Sequence, residues 1–153
     1  MSAGQQVSFW PIAGIMLLAG IGIPILATWN SALGGQLASA PAATFVLFTV
    51  GFVLSGLIVA AVGLPPREAF SFGRPHIYLA AVFMLFYALS VTWAGPRIGI
   101  GNAVFFVLLG QIVAATAIDH FGLWGAMKSS LTMRRAAGIA IMALGVWLAR
   151  KPA

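Results

Sequence analysis

Cysteine is absent from this 153-residue chain, and charged residues make up only 7% of it. The lack of cysteine excludes disulfide bonds and thiolate chemistry. A water-soluble domain carries about 25% charged residues, whereas this chain is 61% hydrophobic and has no Lys, Arg, Asp or Glu before Arg67. So long an uncharged tract cannot cover a water-soluble surface. We therefore predict an all-α integral membrane protein with the lipid bilayer as its main partner.

Groups that could catalyse a reaction are scarce. The acids are Glu68 and Asp119, and the histidines are His76 and His120. The sequence contains neither an HExxH nor a GxSxG pattern. The eight Lys and Arg residues are scattered between apolar segments instead of forming a basic face, which argues against nucleic acid as a partner. We predict no enzymatic activity, no cofactor and no metal site.

Five apolar segments reach, or nearly reach, the length of about 20 residues that a spanning helix needs. The fifth is the weakest, because only fourteen uncharged residues separate Arg135 from Arg150. Tryptophans near the segment ends are typical of an interfacial aromatic belt. We predict one membrane domain, 1–153, with spans at 9–29, 42–64, 76–94, 101–119 and 131–149.

The basic residues give a weak orientation signal. An odd number of spans places five of them on the side of the N-terminus and three on the other side. This bias favours a cytoplasmic N-terminus, but it is small enough that the chain could insert both ways and form antiparallel pairs. The first group is Arg67, Arg74, Lys128, Arg134 and Arg135, and the second is Arg97, Arg150 and Lys151.

Three residues are candidates for hinges. Pro24 interrupts the first span, where proline removes a helical hydrogen bond. Gly99 and Gly101 form the entry to the fourth span, which begins at Gly101. They hint at a dinucleotide-binding turn, but the strand that such a turn requires before it is missing. A broken helix can line a transport cavity, although a prolyl kink is more often only a matter of shape.

Gln111 and Asp119 are the most informative polar residues of the fourth span. At mid-bilayer an amide needs a partner in protein or water, so Gln111 either bonds another helix or contacts a substrate. Ionisable groups near lipid are often functional, yet Asp119 lies at the end of its span. We weigh three roles for it. It could be a structural acid, solvated or paired with Lys128, Arg134 or Arg135; it could couple transport to a proton or cation; or it could be a gate at the end of the cavity, which its place at the edge of the span favours over coupling.

Further candidate contacts are Asn30, Asn102 and Trp93, which lie on the opposite side of the membrane, and Tyr87, which lies within the third span. Asn30 could end the first helix or face a cavity, and Asn102 is placed to cap the fourth helix. Trp93 and Tyr87 in the third span are possible aromatic walls of a substrate cavity. In an antiparallel dimer, Asp119 of one chain reaches the level of Asn30 of the other, and the two Gln111 side chains meet near the midplane.

The sequence resembles the YdcZ-like proteins over essentially its whole length. The resemblance rests on Gly110-Gln111, on Asp119-His120-Phe121-Gly122, and on Pro96-Arg97-Ile98-Gly99. Further matches are Arg134 or Arg135 with Gly138 and Gly145, Asn30-Ser31-Ala32-Leu33-Gly34, and Gly51.

The resemblance implies a five-span bacterial protein of the drug/metabolite transporter superfamily, in which larger relatives carry two such halves with inverted topology. It implies a small-molecule transporter subunit of the inner membrane, active as a homodimer or as a heterodimer with a paralogous five-span protein. The alternative is an accessory or assembly protein that transports nothing. Small multidrug resistance proteins of the same superfamily carry a glutamate in their first helix, and this chain has none there.

Overall fold

The computed structural model describes residues 9–70 and 73–149, and the regular structure in these ranges is helical throughout. Arg150 and Lys151, two of the basic residues used for orientation, lie outside the described residues. Short 3-10 turns occupy Arg67–Ala69, Pro75–Leu79 and Leu123–Gly125. The five α-helices are α1 (Phe9–Gln36), α2 (Ala40–Val62), α3 (Ala80–Ile98), α4 (Ile100–Phe121) and α5 (Met133–Ala149).

The helices confirm an all-α membrane protein. Over the described residues, four segments are long and apolar enough to cross a bilayer: α1, α2, Pro75–Ile98 and α4. Helix α5 has 17 residues, about 26 Å of helix at 1.5 Å per residue, which is short for a bilayer core of about 30 Å. A fifth spanning helix therefore stays a prediction.

Helix α1 is longer than the sequence suggests. It continues seven residues beyond the predicted end at Trp29 and reaches Gln36. Its buried residues are Ala27, Asn30, Ser31 and Gly34, spaced so that they share one helical face. The polar residues that looked like a loop are therefore packed against other helices. Asn30 does not end the helix.

The joint between α3 and α4 is tighter than predicted. Helix α3 runs through Pro96 to Ile98, and Gly99 alone separates it from α4. Gly99 has φ +84°, a conformation that glycine adopts without steric cost. Asn102 is not the helix cap, as the sequence had suggested: it lies in the first turn, and its Nδ2 donates to the Ile98 carbonyl at 2.8 Å. Gly99 occupies the capping position.

The contacts divide the chain into two units, Met1–Trp93 and Ala94–Ala153. In the first unit α1 packs on α2, and Ser39 caps α2 by accepting a hydrogen bond from the Ala42 N–H at 3.2 Å. In the second unit α4 packs on α5. The single membrane domain predicted from the sequence remains a prediction.

Candidate functional site

Two polar contacts join α1 to α3. Asn30 is only 5% exposed, and its Nδ2 donates to Oγ1 of Thr92 at 2.6 Å. One residue further along α1, the Ser31 hydroxyl donates to the Val91 carbonyl at 3.5 Å. Sequence reasoning missed Thr92, although a threonine inside an apolar run is a signal for an interhelical bond. Asn30 is thus a packing residue as well as a candidate contact.

Two clefts lie on either side of the α1–α2 contact. The first, called the Asn30 cleft, has a volume of about 390 Å³, and both Asn30 and Trp29 are among the residues that line it. The second, called the Tyr87 cleft, has a volume of about 410 Å³. Leu26 and Leu47 line both clefts, so they form the wall between them. The other residues of the Tyr87 cleft are Phe48, Gly51, Phe52, Ser55, Met84, Tyr87 and Ala88.

Tyr87 combines an apolar wall with an unpartnered polar group. The residue lines the cleft, and its Oη is closed to solvent and has no hydrogen-bond partner among the described residues. A buried hydroxyl left without a partner costs about 1–3 kcal/mol. Such a cost persists in a folded protein when the group serves a purpose or finds its partner in another state.

The other predicted residues of this unit are placed differently. Trp93 is 58% exposed and lines neither cleft. Pro24 lies within α1 without ending it, and the Thr28 hydroxyl donates to the Pro24 carbonyl at 2.7 Å. A side-chain hydroxyl of this kind compensates locally for the helical hydrogen bond that proline removes.

In the second unit, Asp119 forms an ion pair. Arg135 Nη2 lies 3.1 Å from Asp119 Oδ2, and the side chains are 40% and 37% exposed. Arg135 Nη1 also donates to the Ser129 hydroxyl at 3.0 Å, while the Ser129 N–H donates to the Asp119 carbonyl at 2.9 Å. Arg135 is one of the three pairing partners weighed from the sequence.

The loop after α4 makes a further contact at the same end of α4 as this ion pair. The Leu131 N–H donates to His120 Nδ1 at 3.0 Å. Gly122, with φ +62°, ends α4 in the left-handed conformation that helix termini favour. The acid, the histidine and the arginine thus fasten the end of α4 to the start of α5.

Gln111 points away from α5. The α4 residues that line the cleft with α5 are Leu109, Val113, Thr116, Ala117, His120 and Phe121. At about 100° per residue, Gln111 lies roughly half a turn from the centre of that row. It is exposed, and α5 cannot reach its amide. Its position is also the middle of the 22-residue helix α4.

Within the described residues, no group of three or more His, Cys, Asp or Glu side chains could hold a metal ion. The clefts offer apolar surface, hydroxyls and one amide, which suit binding better than bond chemistry.

A family model described as "Putative inner membrane exporter, YdcZ" matches residues 11–148. The chain belongs to the YdcZ family. Membership in this family and the spanning helices make it a multi-pass protein of the inner membrane. The function that the family's description gives, export, is of a transporter-like kind. No curated protein and no solved structure matches the chain.

Proposed function

We propose that this YdcZ-family chain is one subunit of a small-molecule transporter of the drug/metabolite transporter superfamily. The subunit has five spans and pairs with a second five-span subunit, identical or paralogous, in antiparallel orientation. The pair works by alternating access, with each chain acting as one half of an inverted repeat.

Gln111 carries the proposal. An exposed amide at the middle of a spanning helix is costly unless protein, water or a ligand satisfies it. Its own neighbour α5 lies on the other face of α4. If a two-fold axis in the membrane plane relates the two chains, a side chain at the middle of α4 lies at the same depth as its copy in the other chain. A glutamine both donates and accepts hydrogen bonds, so it suits a second copy and a substrate alike.

The remaining candidates have assigned parts in this scheme. Gln111 and Asn30 are the proposed substrate contacts, and Tyr87 is the proposed aromatic wall of its cleft. Trp93 lines neither cleft, so we propose it as a wall only where the second subunit covers it. Asp119, in its ion pair with Arg135, acts as the gate at the end of the cavity. Pro24, Gly99 and Gly101 are the hinge positions.

Transport is tested by flux into proteoliposomes of a radiolabelled panel of neutral, anionic and cationic metabolites and drugs. For any compound that the wild type carries, we expect Gln111→Ala to abolish flux, because the central amide is lost, while expression and thermal stability are kept. Gln36→Ala removes an amide from the end of α1 and serves as the matched control. Flux through Gln111→Ala equal to that of the wild type would contradict the carrier mechanism.

Antiparallel pairing is tested by disulfide cross-linking, since the chain has no cysteine of its own. With the two-fold axis at Gln111, position 107 of one chain meets position 115 of the other. We expect Gln111→Cys to cross-link with itself, and Val107→Cys to cross-link with Ala115→Cys in a mixed sample. Val113→Cys, on the α5 side, is the negative control. Self-cross-linking of Val107→Cys alone would indicate parallel chains, and no cross-link at all would exclude this homodimer.

A further inference from the structure

The Tyr87 cleft has no charged wall. Every residue that lines it is uncharged, and the two acids of the chain lie elsewhere: Glu68 in the 3-10 turn after α2, and Asp119 in its ion pair with Arg135. A charged ligand in the cleft would lose its water and find no opposite charge in return. Burial of an unpaired charge is strongly unfavourable, so the cleft selects against ions of either sign.

The apolar part of the cleft favours a flat or aromatic ligand. Phe48, Phe52 and the Tyr87 ring offer aromatic surface, and Met84 adds a polarisable thioether, a combination that packs well against aromatic rings. The volume of about 410 Å³ falls within the range of small-molecule sites, about 300–1,000 Å³.

The residues of the cleft include one buried hydrogen-bond donor that lacks an acceptor. Tyr87 Oη has no acceptor among the described residues, and a carbonyl oxygen would supply one. The hydroxyl is closed to solvent in this conformation, so a ligand meets it only when the side chains around it move. The change of conformation that a carrier undergoes provides such a movement.

We propose that the Tyr87 cleft binds an uncharged, mainly apolar molecule with a carbonyl group, and that Tyr87 Oη donates a hydrogen bond to that carbonyl. The inference rests on the proposed carrier function, because it names the class of substrate.

A charge series on one scaffold tests the proposal with purified protein in nanodiscs. N-acetyltryptophanamide is neutral, N-acetyltryptophan is an anion, and tryptophanamide is a cation at about pH 6. We expect saturable binding of the neutral compound and binding at least about a hundredfold weaker for both ions. Equal binding of either ion would overturn the proposal.

The hydroxyl is tested with the two tyrosines of the chain. Tyr87→Phe keeps the ring and removes Oη, and we expect about fivefold weaker binding of N-acetyltryptophanamide. Tyr78→Phe, in the 3-10 turn before α3, is the matched control and should match the wild type. Binding of 3-methylindole, which has no carbonyl, should be the same in all three proteins.

Infrared spectroscopy separates the site from simple partition into lipid. With a ¹³C-labelled carbonyl, bound N-acetyltryptophanamide should show a hydrogen-bonded band in the wild type and in Tyr78→Phe that is missing in Tyr87→Phe. An identical band in all three proteins, or a cleft filled only by lipid chains with no saturable binding, would overturn the proposal. Binding of the neutral probe without any flux would instead contradict the carrier function and leave the binding site standing.

Discussion

Replacing Gly34 with alanine is expected to lower the free energy of unfolding by about 1–3 kcal/mol, the usual cost of overpacking a tight contact. A Cβ at position 34 would lie 2.8 Å from the Thr92 Cγ2 methyl group. Thr92 is 4% exposed, and its Oγ1 accepts the hydrogen bond from Asn30. Because the methyl and the hydroxyl share one Cβ, the methyl cannot rotate away without breaking that bond.

The neighbouring glycine supplies the control. A Cβ at Gly35 would meet nothing within 4 Å, so Gly35→Ala should leave the stability unchanged or raise it by up to about 1 kcal/mol through better helix propensity. Unfolding of the purified protein in one detergent, followed by temperature or denaturant, measures both variants. If Gly34→Ala and Gly35→Ala were equally stable, the close approach of α1 and α3 would be wrong.

A second substitution identifies the clash itself. Thr92→Ser removes the Cγ2 methyl and keeps the hydroxyl that accepts from Asn30. Added to Gly34→Ala, it should restore much of the lost stability, because the new Cβ then has room. A double variant as unstable as the sum of both single changes would place the clash elsewhere.

Much of the fold could be predicted from the sequence, because the bilayer imposes lengths that composition reveals. The existence and order of the helices follow from the long apolar segments and from the short polar stretches that separate them. The end of α1 could not be predicted in this way. Asn30 and Ser31 are polar, and only their partners on α3 make it favourable for a helix to continue through them. At this end of α1, tertiary contacts outweigh the low helix propensity of the polar residues.

Less of the candidate site than of the fold could be predicted from the sequence. Topology offers pairing of Asp119 with a basic residue on the same side as one of its possible roles. The choice of Arg135 over Arg134 and Lys128 depends on the rotation of α5. Tyr87 could be suspected as an aromatic wall from its place in the third span. Its unpartnered hydroxyl depends on how α1, α2 and α3 surround it, which no sequence pattern encodes.

The ion pair between Asp119 and Arg135 gives the sharpest functional prediction. Both side chains are more than a third exposed, so the pair should contribute only about 0–1 kcal/mol to stability. Asp119→Asn and Arg135→Gln should therefore fold nearly as well as the wild type. If the pair is the gate, losing about 1 kcal/mol of closed-state stability changes the balance of open and closed states about fivefold, and flux should fall by a similar factor.

Arg134 is the matched control for this experiment. It is an exposed neighbour of Arg135 on α5, and the ion pair with Asp119 belongs to Arg135. Arg134→Gln removes the same charge from the same turn, so it should leave flux close to that of the wild type. An equal loss in Arg134→Gln and Arg135→Gln would indicate that only the net charge of the loop matters.

Exchanging the two partners separates a gate from an acid that carries a coupling proton. The double variant Asp119→Arg with Arg135→Asp keeps the attraction between α4 and α5 but moves the carboxylate to α5. We expect flux to recover well above that of either single variant, because a gate needs only a closed pair. A proton-coupling acid needs its own position in the cavity, and then the exchange would leave flux as low as in Asp119→Asn. Since no other acid lies in the α-helices, that outcome would make Asp119 the coupling site.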